Sequence, residues 1–261
     1  MSTKIIIFCT KKDSQVVQRQ IAALKTGCVM VLQTPDLDFY QKLFRKNRTI
    51  KIRADKSIYN KKMFDYIMNL PTTKSGWYLQ QYLKLKAVAA ESQPFIILDG
   101  DTFIRKSILL SAVNGVHEFY SREPVNFYNH TIQKVLPGFT PIERSAVVNF
   151  CWVDPQKFKG AIPDVDVFFM KWLRLLNGDY SQKSGDISEY QLIRTISKNP
   201  HAVETHLRLF RRGDLLKKEY LSRIEQGITG FDGYAVESNH KRGLVYHIAA
   251  LVVYALGFAK W

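Results

Sequence analysis

One short stretch constrains the fold of this chain more than any other. An apolar run, Phe95 to Leu98, leads directly into Asp99-Gly100-Asp101. The run is uninterrupted and is preceded by Pro94, which predicts a strand buried on both faces, as in a parallel sheet. Ligands bind at the carboxyl ends of the strands in such open sheets. Asp99, Gly100 and Asp101 are therefore predicted at a ligand-binding edge.

Two carboxylates one residue apart can hold a divalent cation, because Mg²⁺ and Mn²⁺ prefer oxygen ligands. A cation bound by Asp99 and Asp101 can neutralise a diphosphate group. The alternative interpretation is a turn in which Asp99 caps the next segment and Asp101 is solvated, since a D-x-D pattern is short. The surrounding sequence has to decide between the two.

The composition is that of an ordinary globular protein, with 46% hydrophobic and 23% charged residues in 261. This length fits one large α/β domain or two small ones. Cys9, Cys28 and Cys151 are scattered without a C-x-x-C motif, so neither a zinc site nor a disulfide framework is indicated. The apolar run at residues 5–8 is too short for a signal peptide. We therefore expect a cytoplasmic protein.

The charge is unusual, because 38 Lys and Arg face 23 Asp and Glu, for a net charge of +15. This excess favours polyanionic partners: nucleic acid, anionic lipid or phosphate-bearing small molecules. Nine basic residues lie between Lys42 and Lys62, where they form either a solvated face or a rim that attracts an anionic ligand. Motifs typical of nucleic-acid binding are absent from the sequence, so no specific nucleic-acid partner is expected.

The start of the chain alternates predicted strands and helices. Lys4–Cys9 and Cys28–Leu32 are apolar strands on either side of a helix at Gln15–Lys25, as in a parallel sheet with right-handed crossovers. Thr10 and Asp13 follow the first strand and either contact a nucleotide or shape the loop. Because neither G-x-G-x-x-G nor a P-loop occurs, the usual dinucleotide and Walker-type sites are disfavoured.

A helix is predicted at Trp77–Glu91, just before the acidic stretch. Gln81 and Lys84 are three residues apart and so share a polar patch on this mostly apolar helix. A lysine there suits a phosphate group, although its flexible stem also allows it to reach solvent.

After the acids we expect a strand at Ser145–Val153, in which Asn149 bonds either a ligand or a neighbouring backbone group. A helix is expected at Val165–Leu176, and a further helix opens at Asp186-x-x-Glu189. This spacing fits a capping box. Alternatively, Glu189 faces a cleft as a base or as a group that positions an acceptor.

The C-terminal part changes character. Basic and bulky apolar residues alternate after residue 205, and the last 18 residues, 244–261, are almost wholly apolar apart from His247 and Lys260. Such a tail is close to the length of a membrane span, but an interfacial or docking helix fits better, and a packed core helix is the alternative. We expect an α/β domain at 1–205 and a helical extension at 206–261, packed on it or at a membrane surface.

Three segments together resemble GT-A-fold glycosyltransferases. They are the W-x-x-Q-Q-x-x-K pattern from Trp77 to Lys84, the D-x-D stretch, and Ile187-Ser188-Glu189-Tyr190. The nearest resemblance is to uncharacterised bacterial and viral glycosyltransferase-like proteins associated with polysaccharides, and glycogenin-like enzymes are similar more loosely. The resemblance covers residues 1–200 and implies one GT-A-like (Rossmann-like) α/β domain, with a mostly parallel central sheet flanked by helices.

The resemblance also implies a metal site. The carboxylates of Asp99 and Asp101 would hold Mn²⁺ or Mg²⁺, which bridges the diphosphate of a UDP- or GDP-sugar. A C-terminal histidine supplies a further ligand in glycogenin-like enzymes, so His240 is the candidate here and His247 the second choice.

Other residues acquire roles by the same resemblance. Gln81 and Lys84 would lie near the sugar-nucleotide pocket. Thr10, Asp13, Gly100 and Asn149 are further candidates for that pocket from their positions in the sequence. Glu189 would face the acceptor, as a base in an inverting enzyme, and Asp186 is the second candidate catalytic residue.

The expected function is thus metal-dependent transfer of a sugar to a hydroxyl of a glycan or other acceptor. The basic excess would serve an anionic acceptor or hold the enzyme peripherally at the inner membrane face. A haloacid-dehalogenase-like phosphatase also places D-x-D after a buried strand, but it requires Thr two residues after the second Asp, where this chain has Phe103. A polyanion-binding protein without enzymatic activity is the other alternative.

Overall fold

The computed structural model describes residues 4–24, 28–32, 36–113, 118–121, 125–147, 149–176, 188–197, 202–204, 207–211, 218–229 and 231–237. Its strands are β1 (Lys4–Cys9), β2 (Cys28–Leu32), β3 (Ile50–Ala54), β4 (Phe95–Asp99), β5 (Thr102–Ile104), β6 (Glu118–Tyr120), β7 (Phe150–Val153), β8 (Ala202–Glu204), β9 (Leu207–Arg211) and β10 (Gly233–Glu237). Its α-helices are α1 (Ser14–Leu24), α2 (Leu37–Phe44), α3 (Lys61–Met68), α4 (Ser75–Ala90), α5 (Lys106–Val113), α6 (Asn126–Val135), α7 (Pro155–Ala161), α8 (Val165–Leu175), α9 (Glu189–Ile196) and α10 (Lys218–Glu225).

The central sheet has five strands in the order β3-β2-β1-β4-β7. The first four are parallel, and β7 runs antiparallel to β4 at one edge. Helices cover both faces, which explains why β1, β2 and β4 are continuously apolar rather than alternating. The predicted α/β fold with a mostly parallel central sheet is confirmed.

The alternation of side chains along β4 decides which face each residue meets. Phe95 and Ile97 belong to the apolar layer that contains α4 and α8, whereas Ile96 and Leu98 pack in the layer of α1 and α2. Asp99 lies two residues beyond Ile97 and therefore on the α4 side of the sheet.

The prediction of a strand from Ser145 to Val153 is wrong in its first half. The strand β7 begins only at Phe150, because Asn149 has φ of 60°. This left-handed conformation is incompatible with an extended strand. The segment before it contributes one isolated bridge, between Ser121 and Ser145.

The C-terminal part of the chain is attached to the segment that follows the D-x-D motif. The strand β10 pairs antiparallel with β5 and parallel with β9, and the backbone N–H of Val236 donates to the carbonyl of Asp101 at 2.8 Å. Among the described residues after 205, α10 is helical, whereas β9 and β10 are strands, which the predicted helical extension did not include.

The apolar tail at 244–261 lies outside the described residues, so its predicted helix is not observed. Within the described ranges, no helix combines the length and the apolar character needed to cross a membrane.

Candidate active site at the sheet switch point

The acidic stretch lies at the point where the order of the parallel strands reverses. The strand β1 has β2 on one side and β4 on the other, and Phe8 is in register with Asp99. The segments that leave β1 and β4 begin at this position, which is where open α/β sheets bind ligands. The same edge therefore carries two pairs of residues predicted to bind a ligand. They are Thr10 with Asp13 and Asp99 with Asp101.

Gly100 allows the turn after β4 to approach β1 closely. Its N–H donates to the carbonyl of Phe8 at 2.8 Å. A Cβ atom at this position would lie 2.2 Å from Cβ of Cys9. Only glycine fits here without a backbone shift, so the middle residue of the D-x-D motif has a steric role.

Asp13 organises the turn after β1. Its Oδ2 atom accepts from the backbone N–H of Thr10 at 2.7 Å and from the Thr10 hydroxyl at 2.9 Å. Of the two roles that the sequence allowed for Thr10 and Asp13, these bonds correspond to shaping the loop. Its charge also reaches Asp101, where it helps to raise the carboxyl pKa.

The surroundings of Asp101 disfavour the charged form of its carboxyl group. Burial and the nearby charges of Asp99 and Asp13 raise its pKa from 3.8 to about 7. The hydroxyl of Thr102, which donates to it at 3.0 Å, and the charge of Lys84 act in the opposite direction. A carboxyl in this position gains from a nearby cation.

Asn149 fixes the turn from the other side. Its backbone carbonyl accepts from the N–H of Asp99 at 2.9 Å, and its Nδ2 donates to the Thr102 hydroxyl at 3.1 Å. The left-handed backbone at Asn149 is what allows both bonds to reach the acidic stretch. Asparagine tolerates that conformation better than most residues.

Lys84 lies beneath the acids and is almost completely buried, with a side chain 1% exposed. Its Nζ atom is 2.5 Å from Oδ1 of Asp99, forms an ion pair with Glu189, and is 3.4 Å from the hydroxyl of Tyr190. Burial alone would lower the pKa of Lys84, but the two carboxylates outweigh burial and raise it. The lysine is therefore charged, and it does not extend to solvent as the alternative interpretation allowed.

Glu189 is the first residue of α9, and Ser188 is its N-cap, with an oxygen that accepts from the N–H of Gln191. The interpretation of Asp186-x-x-Glu189 as a capping box is therefore wrong. The backbone N–H of Glu189 donates to Oε1 of Gln81 at 2.8 Å. Burial raises the pKa of the Glu189 carboxyl, while Lys84 opposes that shift.

Several predicted residues thus meet, although they come from separate parts of the chain. Lys84 contacts both Asp99 and Glu189, Gln81 bonds the backbone of Glu189, and Asn149 holds the turn that carries Asp101. Asp186, His240 and His247 lie outside the described residues. Sequence reasoning assigned no role to Thr102 or Tyr190, although both adjoin predicted site residues in the sequence.

Several carboxylates of the described residues share the charge of Lys84. Its ammonium contacts both Asp99 and Glu189, and its charge also acts on Asp101. The described residues contain no group of three or more His, Cys, Asp or Glu that could hold a metal ion. Mg²⁺ commonly uses one or two carboxylates together with water and substrate phosphates. The donors present therefore fit a cation shared with a phosphate-bearing ligand.

Comparison with solved structures finds a protein of similar fold. The chain is similar to the crystal structure of mouse xyloside xylosyltransferase 1 in its apo form, with a TM-score of 0.51 and 11% sequence identity, covering 93% of this chain and 100% of that one. At this identity the likeness concerns the fold alone.

A second structure, the inositol-1-phosphate CTP transferase from T. maritima, matches with a TM-score of 0.38 and 10% identity over 96% of each chain. A likeness at this level supports no inference about the chain. No protein-family profile matches the sequence, and comparison with curated proteins gives no match either.

Proposed function

We propose that this protein is a metal-dependent glycosyltransferase that moves a sugar from a nucleoside-diphosphate sugar to a hydroxyl of a glycan or other acceptor. The observation that carries the proposal is the position of the acidic turn, since Asp99 and Asp101 lie together at the switch point of the sheet. The neighbouring carboxylates, which raise the pKa of Asp101, would favour a cation there. The fold shared with a xylosyltransferase supports it.

Asp99 and Asp101 are the residues that would hold Mn²⁺ or Mg²⁺ in this proposal. When bound, such a cation acts as a Lewis acid that stabilises negative charge on the diphosphate leaving group. The chain itself supplies the rest of the arrangement. Gly100 lets the turn lie against β1, and Lys84 holds Asp99 from below. His240 and His247 remain candidates for a further ligand.

The exposed edge of the central sheet supports an anionic partner. The edge strand β3 lies within the segment 42–62, whose nine basic residues are exposed except for the half-buried Arg53. Among these nine, Arg53 is the only one that pairs with an acid of the described residues, Glu91 at 3.9 Å. We therefore propose that this edge meets anionic groups, on the acceptor glycan or on lipid headgroups.

The proposed function is tested by measuring thermal unfolding with UDP, GDP and other nucleotides, each with and without Mn²⁺. A ligand that binds only the folded state raises the unfolding temperature. We expect one nucleotide to stabilise the wild type only when Mn²⁺ is present, and we expect Asp101→Asn to lose this effect. Asp65→Asn, at an exposed position on α3, is the matched control and should behave as the wild type.

Three results would contradict the proposal. If no nucleotide stabilises the protein in the presence of Mn²⁺, the acidic turn does not bind a sugar nucleotide. If the protein instead releases phosphate from monoesters, the phosphatase alternative is favoured. Steeply salt-dependent nucleic-acid binding that Asp101→Asn leaves unchanged would favour the non-enzymatic alternative.

A further inference from the structure

We infer that Glu189 is a positioning residue, which acts through Lys84 on Asp99, rather than a base that touches the acceptor. This inference rests on the proposed function, because it concerns how the same acidic turn binds its cation. It changes the role that sequence reasoning gave to Glu189.

The contacts of Glu189 are those of a supporting group. Its side chain is 2% exposed, and its carboxylate is engaged by the ammonium of Lys84, which is 1% exposed. A general base must come within hydrogen-bond reach of the hydroxyl that it deprotonates. Glu189 instead reaches the edge of the sheet through Lys84, whose Nζ lies 2.5 Å from Asp99.

Two bonds attach Glu189, at the start of α9, to α4. Gln81 accepts from the backbone N–H of Glu189, and Lys84 binds its carboxylate. Gln81 and Lys84 are three residues apart, so they present both groups from one face of the helix. This double attachment fixes the Glu189 carboxylate relative to Lys84, and therefore fixes the position of Lys84 beneath Asp99.

Charge sharing gives this arrangement a consequence for cation binding. Lys84 lies between two carboxylates, so its positive charge is divided between Asp99 and Glu189. Without the charge on Glu189, the ammonium would be associated with Asp99 alone. Asp99 would then be more fully neutralised and would attract a divalent cation less strongly. Loss of such supporting contacts typically costs metal sites about 10- to 100-fold in affinity.

The inference is tested by titrating the full chain with Mn²⁺ in the absence of donor and acceptor, with free Mn²⁺ measured by electron paramagnetic resonance. We expect Glu189→Gln to weaken Mn²⁺ binding by about 10- to 100-fold, and Glu189→Asp, which keeps the charge, to recover part of the loss. Glu225→Gln is the matched control, because it removes a carboxylate from the ion pair with Arg19 at 2.8 Å, outside this cluster. Its Mn²⁺ affinity should equal that of the wild type.

A second readout separates positioning from base catalysis. Hydrolysis of the sugar nucleotide by water, without acceptor, should fall in Glu189→Gln together with Mn²⁺ affinity. Wild-type Mn²⁺ affinity and wild-type donor hydrolysis in this variant, with glycosyl transfer lost, would overturn the inference and make Glu189 the base. Wild-type behaviour in all three assays would also overturn it.

Failure of the proposed function would look different. In that case the wild type itself would bind neither Mn²⁺ nor a nucleotide, and both proposals would fall together. If Glu189→Gln does not fold, Gln81→Met supplies the second test, because it removes the bond to the Glu189 N–H without changing any charge. Weaker Mn²⁺ binding is again expected, and unchanged affinity would overturn the inference.

Discussion

Replacing Lys84 with methionine removes the positive charge on which the buried acids depend. Methionine keeps most of the length of the side chain, so the volume of the core changes little. The loss leaves Asp99 and Glu189 facing each other without the ammonium that lies next to both. Breaking a buried ion pair by removing one partner typically costs about 3–5 kcal/mol, because the other charge stays buried.

The expected magnitude for Lys84→Met follows from the environment of each acid. Glu189 is 2% exposed and cannot regain its hydration, whereas Asp99 is 15% exposed and can do so in part. Burial already raises the pKa of Glu189, so uptake of a proton relieves some of the cost. We therefore expect a loss of about 3 kcal/mol of unfolding free energy at neutral pH, near the lower end of that range.

The neighbouring Lys86 provides a matched control on the same helix. It pairs with Asp166 at 3.0 Å, and both side chains are 25% exposed. Because both groups keep contact with water, we expect this pair to contribute about 1 kcal/mol or less, so Lys86→Met should cost far less than Lys84→Met.

The measurement is urea unfolding followed by far-ultraviolet circular dichroism, with the double variant Lys84→Met/Glu189→Gln included. The double variant should be more stable than Lys84→Met alone, because it also removes one of the stranded charges. If Lys84→Met costs no more than Lys86→Met, or if the double variant is no more stable than the single one, the charge of Lys84 does not stabilise the buried carboxylates of Asp99 and Glu189.

Three further predictions concern the same edge of the sheet. Because the pKa of Asp101 is raised to about 7, the folded state holds this proton more tightly than the unfolded chain does, and the metal-free protein should lose stability as the pH rises from about 4 to about 7. Unfolding experiments should show a smaller loss in Asp101→Asn, and an equal loss would contradict the raised pKa of Asp101. Gly100→Ala places a Cβ 2.2 Å from Cβ of Cys9 and should lower thermal stability by about 1–3 kcal/mol; wild-type stability would show that the turn adapts freely. The double variant Lys51→Glu/Lys56→Glu changes exposed positions in and just after β3. It should bind anionic glycans or anionic vesicles more weakly, while nucleotide with Mn²⁺ should still raise its unfolding temperature. Loss of that rise would place these residues in the nucleotide site, and unchanged binding would exclude an anion-binding edge.

Local patterns in the sequence were sufficient to predict the framework. The apolar runs at residues 4–9 and 28–32 are strands with those bounds, and the helix predicted at 77–91 is α4, from Ser75 to Ala90. These predictions succeed because burial on both faces of a parallel strand leaves a short, continuous, β-branched apolar run. The position of Asp99 at the end of β4 follows in the same way.

Local patterns failed to predict the start of a strand where a single residue has an unusual backbone conformation. Asn149 lies in a β-branched and aromatic stretch that predicts one strand from Ser145. Its backbone is left-handed, however, so β7 begins only at Phe150. The capping-box spacing at Asp186 was misleading for a similar reason, because Ser188 offers an alternative cap three residues before Gln191. Short motifs do not indicate which of several compatible geometries the rest of the fold selects.

The sequence by itself determined the sheet, its apolar faces and the acids at the end of β4. Only the tertiary structure decided which charges meet, since Lys84 and Glu189 are 105 positions apart in the chain. It likewise joined β10 to β5 and brought the charge of Asp13 within reach of Asp101. The physical reason is that burial is encoded residue by residue, whereas the partner of a buried charge is set by how helices dock on the finished sheet.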